Sequence, residues 1–195
     1  MMNAGKEMRL EHGSIAIRSG ALVLTKGLMG LMMVFSFAVL ARAEEFLIGE
    51  PLEKHGMEIA AVYIDPAVSQ DEYWGGVPRE EGTVIHLEAD IHATKDNKHG
   101  FGAGEWIPYL TVFYRLRNLK TDEEQKGLLW QMVAKDGPHY GRNIKLRPGK
   151  YKLVYTIENP STGGLARHTD KETGVPEWWD AFSLEYTFDY KQSKK

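Results

Sequence analysis

Phe182-Ser-Leu-Glu-Tyr-Thr-Phe-Asp-Tyr190 alternates without a break: Phe182, Leu184, Tyr186, Phe188 and Tyr190 share one face, and Ser183, Glu185, Thr187 and Asp189 share the other. A period of two predicts a strand with one side in a core and one in water. The same alternation runs through Met57 to Ile64, Val84 to His92, Ile107 to Leu116 and Tyr151 to Ile157, and more weakly through Gly127 to Ala134 and Asn143 to Leu146. Turn-forming sequences separate these runs: Gly75-Gly76, Asp96-Asn97, Asp136-Gly137-Pro138, Pro148-Gly149 and Ser161 to Gly164. No stretch holds apolar residues at helical spacing for three turns. The expected fold is all-β, an immunoglobulin-like antiparallel β-sandwich of about seven strands.

Upstream of the strands the pattern changes. Gly27 to Leu40 carries no charge, follows Lys26 and ends at Ala41-Arg42-Ala43. A basic flank, an apolar run short of a comfortable membrane span and small residues before a cleavage point together read as a signal peptide over residues 1–43. Residues 44–195 then form a single domain, with no repeat or linker to divide it. The leader takes five of the 24 Lys/Arg and two of the 27 Asp/Glu, so the exported part carries 19 positive and 25 negative charges. An acidic chain without a basic stripe lacks the footprint of a nucleic-acid binder. The chain has no cysteine, which removes thiolate from any metal site and removes a lipid-anchoring Cys from the cleavage point.

Chemistry concentrates in Val84-Ile-His-Leu-Glu-Ala-Asp-Ile-His92. If Ile85, Leu87, Ala89 and Ile91 face the core, then His86, Glu88, Asp90 and His92 line the opposite face of one strand. A polar row on a strand is ordinarily a solvated face. This one has no Lys, Ser or Thr, and neighbours two residues apart lie roughly 7 Å apart at Cα, so His86 and Glu88 are able to meet at one ion. Met132 is one of only two methionines outside the leader, and His139 follows it by seven residues after a Gly-Pro turn that aims the side chain back. Methionines are mostly packing. His168 sits in a polar, Gly-rich loop, where histidines are mostly solvent-exposed. Spacing alone therefore leaves two readings, a His/Met/carboxylate site or a solvated face.

Other patterns carry less. Gly100-Phe-Gly-Ala-Gly104 has no following helix to aim at a phosphate and reads as a tight loop. Trp178-Trp179 with Trp74 and Trp106 read either as a sugar-stacking platform or, more commonly for such aromatics, as caps on the core. The nucleophile-elbow pattern Gly-x-Ser-x-Gly and the zinc-protease pattern His-Glu-x-x-His are both absent, so hydrolysis has no support.

Gly56-Met-Glu-Ile-Ala-Ala-Val-Tyr63, His86-Leu-Glu-Ala-Asp-Ile-His-Ala93, Gly100-Phe-Gly-Ala-Gly-Glu-Trp-Ile-Pro-Tyr-Leu110, Met132-Val-Ala-Lys-Asp-Gly-Pro-His-Tyr-Gly141 and Arg167-His-Thr-Asp-Lys-Glu-Thr-Gly-Val175 resemble the periplasmic iron-transport protein family of bacterial pathogens. The likeness covers essentially all of residues 44–195. It implies immunoglobulin-like homodimers in the periplasm that bind copper through three histidines and a methionine, beside an inner-membrane iron permease. Carried over by motif, the copper ligands fall on His86, Met132, His139 and His168, with Glu88 as a neighbouring carboxylate implicated in metal binding. Asp90 and His92 share the face and are candidates for a nearby second site. Imidazoles suit Cu(II), a thioether suits Cu(I), and carboxylate oxygen suits harder ions such as iron. The leading expectation is a periplasmic metal-binding protein of iron uptake, carrying copper and transported iron and supplying the permease. A copper-dependent ferrous iron oxidase and a copper-buffering protein are the competing readings; only the first makes the protein an enzyme.

Overall fold

The computed structural model describes residues 44–65 and 84–192, within a compact unit spanning Leu40–Lys195. The signal peptide expected at residues 1–43, the Gly75-Gly76 turn and Trp74 lie outside the described residues. The strands are β1 (Glu44–Leu47), β2 (Leu52–Lys54), β3 (Met57–Asp65), β4 (Val84–Ala93), β5 (Thr111–Asn118), β6 (Glu124–Ala134), β7 (Gly137–Lys145), β8 (Gly149–Glu158) and β9 (Phe182–Tyr190). A 3-10 turn at Pro160–Gly163 is the remaining regular element among the described residues. No helix among them is long and apolar enough to cross a membrane.

All pairings are antiparallel, in the order β1-β3-β4-β7-β6-β5-β8-β9, with β2 also on β3. Strand β6 makes the bend. Its first half pairs with β5 from Arg117↔Glu124 to Val112↔Leu129, and its second half pairs with β7 from Trp130↔Gly141 to Ala134↔Gly137. The sheet thereby folds into two layers, the antiparallel β-sandwich that the alternation predicts. The core lies between them, where Ile59, Ala61, Leu87, Ala89 and Ile91 face Leu153, Tyr155, Ile157 and Tyr186.

Tyrosines tie the layers together. The Tyr155 hydroxyl donates to the Glu88 carbonyl at 2.7 Å, Tyr186 donates to the Ile59 carbonyl at 3.0 Å, and Tyr190 donates to Asp65 Oδ2 at 3.1 Å. A ring supplies apolar area while its hydroxyl reaches a carbonyl in the facing sheet. Tyr155→Phe is expected to cost about 1–2 kcal/mol, because it deletes one buried hydrogen bond and almost no volume; urea denaturation would measure it. An unchanged denaturation midpoint would mean that the bond contributes nothing net.

Two expectations need correcting. The run from Ile107 to Leu116 is a strand only from Thr111 onward. Pro108 has no N–H to give a ladder, Tyr109 takes φ 63°, and Tyr140 substitutes for a partner strand. Its hydroxyl accepts from the Leu110 N–H at 2.9 Å and donates to the Ile107 carbonyl at 2.8 Å. The second correction concerns the reversal before His139. The chain turns at Lys135-Asp136, and Gly137, Pro138 and His139 already belong to β7, with Pro138 opposite Val133. Pro138 sits at the start of that strand, where a missing N–H is tolerated. His139 is thus aimed by strand alternation and not by a turn. The strand count rises from about seven to nine because β1 and β2 are short edge additions.

Candidate metal centre

Strand β4 turns Ile85, Leu87, Ala89 and Ile91 inward, so His86, Glu88, Asp90 and His92 point outward. On neighbouring β7 the outward row is His139, Gly141 and Asn143, in a register that pairs His86 with Asn143 and Glu88 with Gly141. An outward row is normally wet. Here His86, Glu88 and His139 retain only 2%, 6% and 7% of their surface exposed.

The three side chains converge. His86 Nε2 lies 3.5 Å and His139 Nε2 lies 3.4 Å from the same oxygen, Glu88 Oε1. One donor atom from each lies within 4.8 Å of the others. The two imidazoles stand edge to face, with centroids 5.7 Å apart and planes at 82°. His86 Nδ1–H donates to Asn143 Oδ1 at 2.8 Å, which assigns the proton to Nδ1 and turns Nε2 towards Glu88. His139 Nε2 is buried without a hydrogen-bond partner. A buried imidazole nitrogen left in that state is costly in a folded protein and is expected where an ion belongs.

The electrostatics agree. Burial, with His86 beside it, lowers the His139 pKa below that of free imidazole, so the ring is neutral and able to coordinate at neutral pH. Burial pushes the Glu88 carboxyl up to about 8, and Asp90, Glu45 and Asp136 add to the shift. Burial also raises Asp90, partly offset by His139. His86, Glu88 and His139 are thus placed to hold a cation.

Met132 is half-buried on β6, directly across the ladder from His139 and on the same outward face. His168 lies elsewhere: its side chain is 77% exposed, in the loop after the 3-10 turn. That loop is well built. Asp170 Oδ1 accepts from the N–H groups of Glu172 and Thr173, and the Thr173 hydroxyl donates to Asp170 Oδ2 at 2.7 Å. Having given its proton to Asp170, Thr173 accepts from His168 Nδ1–H at 2.8 Å, which leaves Nε2 as the outward-facing acceptor. Asp90 and His92 are half-buried on the strand beyond Glu88 and line a cleft of about 160 Å³ with Glu45 and Asp136. Trp178 and Trp179 pack at the core edge around His99, with ring centroids 5.3 and 5.0 Å from it, as caps. Sequence reasoning missed Asn143 and Gly141. Strand parity with His139 would have placed both on the site face, had β7 been read to its full length.

The family described as Fe2+ transport protein matches residues 42–192. The chain belongs to it. A UPF0423 protein of Brucella abortus is 47% identical over 171 residues, 85% of this chain and 93% of the relative. The 34 kDa membrane antigen of Treponema pallidum is 38% identical over 135 residues, 68% of this chain and 66% of the antigen. Among solved structures, a copper-bound glutamate-to-glutamine variant of FetP from uropathogenic Escherichia coli strain F11 superposes with a TM-score of 0.72 at 50% identity, covering 77% of this chain and 99% of FetP. Copper-reconstituted P19 from Campylobacter jejuni gives 0.69 at 44% identity, covering 78% and 99%. The family match over residues 42–192 takes in the strands that carry the cluster. The donors here, two imidazole nitrogens with a thioether across the ladder, also fit copper chemically, since they serve Cu(II) and Cu(I) without thiolate.

Proposed function

We propose that this chain is a periplasmic metal-binding protein of a bacterial iron-uptake system, holding one copper ion per subunit and supplying iron to an inner-membrane permease. His86, Met132 and His139 hold the copper, with Glu88 beside them and His168 completing the site. The single observation that carries this reading is the buried His139 Nε2, without a hydrogen bond, converging with His86 Nε2 on one carboxyl oxygen of Glu88. The relatives support it. Copper-bound P19 variants replace a glutamate, a methionine 44 positions after it and an aspartate four further on; Glu88, Met132 and Asp136 stand at the same two spacings here. One FetP structure is of protein made in the periplasm, and the signal peptide read at residues 1–43 fits that compartment.

The site face also favours a homodimer. One register row runs Leu47, Val62, Glu88, Gly141, Trp130 across five strands. Leu47 is 53% and Trp130 36% exposed, so apolar surface flanks a nearly buried polar centre. A second copy docked on this face covers that surface and brings an exposed His168 to its partner's cluster, as a closed two-fold arrangement allows. Light scattering and copper titration of residues 44–195 test this together. The expected result is a dimer with one copper per subunit, weakened in His168→Ala, and Met132→Leu losing Cu(I) far more than Cu(II). A monomer that binds copper normally would remove the dimer and the role of His168.

A second reading has one observation in its favour: the carboxylates of Glu45, Asp90 and Asp136 line the cleft that opens beside Glu88 and His139. Oxygen donors suit ferrous iron. Copper(II) would there accept one electron, leaving copper(I) and ferric iron. Stopped-flow mixing of the copper-loaded protein with ferrous iron separates oxidation from transport without redox change.

A further inference from the structure

Gly141 is the third outward position of the site on β7, between His139 and Asn143 and paired with Glu88. Its backbone does not ask for glycine, since its φ lies outside the left-handed region and any residue adopts it. A glycine inside a strand weakens it and marks a place where something approaches the backbone closely. What approaches here is the site itself. A Cβ built on Gly141 would stand 2.5 Å from His86 Nε2, 3.0 Å from His86 Cε1 and 3.1 Å from His139 Cδ2. Its three nearest neighbours are thus all imidazole atoms, and one of them is the nitrogen that faces Glu88.

We infer that Gly141 is a positioning residue of the metal centre: the missing side chain is the space in which the His86 and His139 rings converge on Glu88. The inference rests on reading His86 as a ligand. His86 is the ring whose place is fixed from both sides. His86 is held from behind by Asn143, whose Oδ1 accepts from Nδ1 at 2.8 Å, so Nε2 swings over the residue between Asn143 and His139. That residue is Gly141. A methyl group there forces His86 to give up either its approach to Glu88 or its bond to Asn143, because contacts under 3.0 Å are not tolerated. The two-residue repeat of a strand brings His139 and Asn143 to one face but also places a side chain between them, and only glycine leaves that middle position open.

The test compares four proteins made as residues 44–195: parent, Gly141→Ala, His86→Ala and the double variant. Copper titration against a competing chelator gives affinity, and EPR of the Cu(II) form gives the number of nitrogen donors. Long-range proton–nitrogen NMR of the metal-free protein reads the His86 tautomer directly. Gly141→Ala is expected to lose at least 10-fold in Cu(II) affinity, together with either one nitrogen donor in the EPR spectrum or the His86 Nδ1–H signature. Adding Gly141→Ala to His86→Ala is expected to cost far less than it costs the parent, because the ring at 2.5 Å is gone and only the 3.1 Å contact with His139 Cδ2 remains. If Gly141→Ala alone fails to fold, a double variant that folds as well as His86→Ala carries the inference, and one that also fails overturns it. Parent-like affinity and NMR in Gly141→Ala, or losses that add in the double variant, overturn it as well. Parent-like copper binding in His86→Ala would instead sink the ligand assignment on which the inference stands.

Discussion

Alanine in place of His139 is expected to lower Cu(II) affinity by more than about 100-fold, beyond the 10–100-fold that follows loss of a ligand's outer partner. The side chain offers a buried nitrogen with no hydrogen bond, facing the Glu88 carboxyl at 3.4 Å, so no hydrogen bond has to break before it coordinates. Its removal leaves the site without a donor on the β7 side, where no other proposed ligand sits. Burial already keeps the ring neutral, so binding should persist to lower pH than for a free imidazole of pKa about 6.5. His92→Ala is the control. His92 lies on the same strand face but outside the convergent cluster, and its loss should change affinity less than about 10-fold. Equal, small effects of the two substitutions in a chelator-competition titration would mean that the outward row is only a polar surface.

Glu88→Gln should act in opposite directions on the metal-free and metal-bound protein. In the metal-free protein burial holds the Glu88 carboxyl up at about 8, above the ordinary carboxylate value it has when unfolded. A raised folded-state value means that the unfolded chain releases this proton first. The favourable contribution is therefore complete below the unfolded value, declines as pH rises through the window up to about 8, and is gone above it. Glutamine has no proton to lose. At pH 9 the metal-free variant should melt several degrees higher than the parent, with a gain on the order of a few kcal/mol, whereas near pH 4 the two should coincide. The copper-loaded parent should reverse that order, and a hard divalent ion such as Mn(II), standing in for iron, should discriminate more strongly still, because amide oxygen is a poorer donor than carboxylate. Melting curves of the two metal-free proteins that stay parallel from pH 4 to pH 9 would show that Glu88 ionises without strain.

Most of the architecture was written in side-chain alternation. The strands Met57–Asp65, Val84–Ala93, Gly149–Glu158 and Phe182–Tyr190 bury one face against a common core, which is the condition under which a period of two is unambiguous. Strand β2 was not legible. It has three residues, and its hairpin turns on His55-Gly56 with φ 52° and 73°, a left-handed pair that Asn-Gly would have announced but His-Gly does not. The early part of β7 was hidden by Gly137-Pro138, which advertise a turn yet enter the ladder one pair after it. At the site, His86 and Glu88 were legible from parity on one strand. Their meeting with His139 depends on how β4 and β7 are registered, and no local pattern encodes that register. His168 is legible in the sequence only as a candidate in a polar loop, and its role as a ligand is implied by the resemblance alone, since an exposed loop has no periodicity to betray it.

The ladder that joins β4 to β7 has a consequence for when the protein becomes competent. His86 and Asn143, which meet in it, are 57 residues apart in the chain. Between them come β5 and β6, which pair with each other, so the ladder closes around a large loop. Contacts of such separation are slow to form, and all-β chains dominated by them fold on the millisecond-to-second scale. A nascent chain that has emerged only as far as β4 holds His86 and Glu88 but no His139. Metal capture therefore waits for the β7 strand to arrive, and a cation bound at this centre reports a chain whose two halves have already found each other.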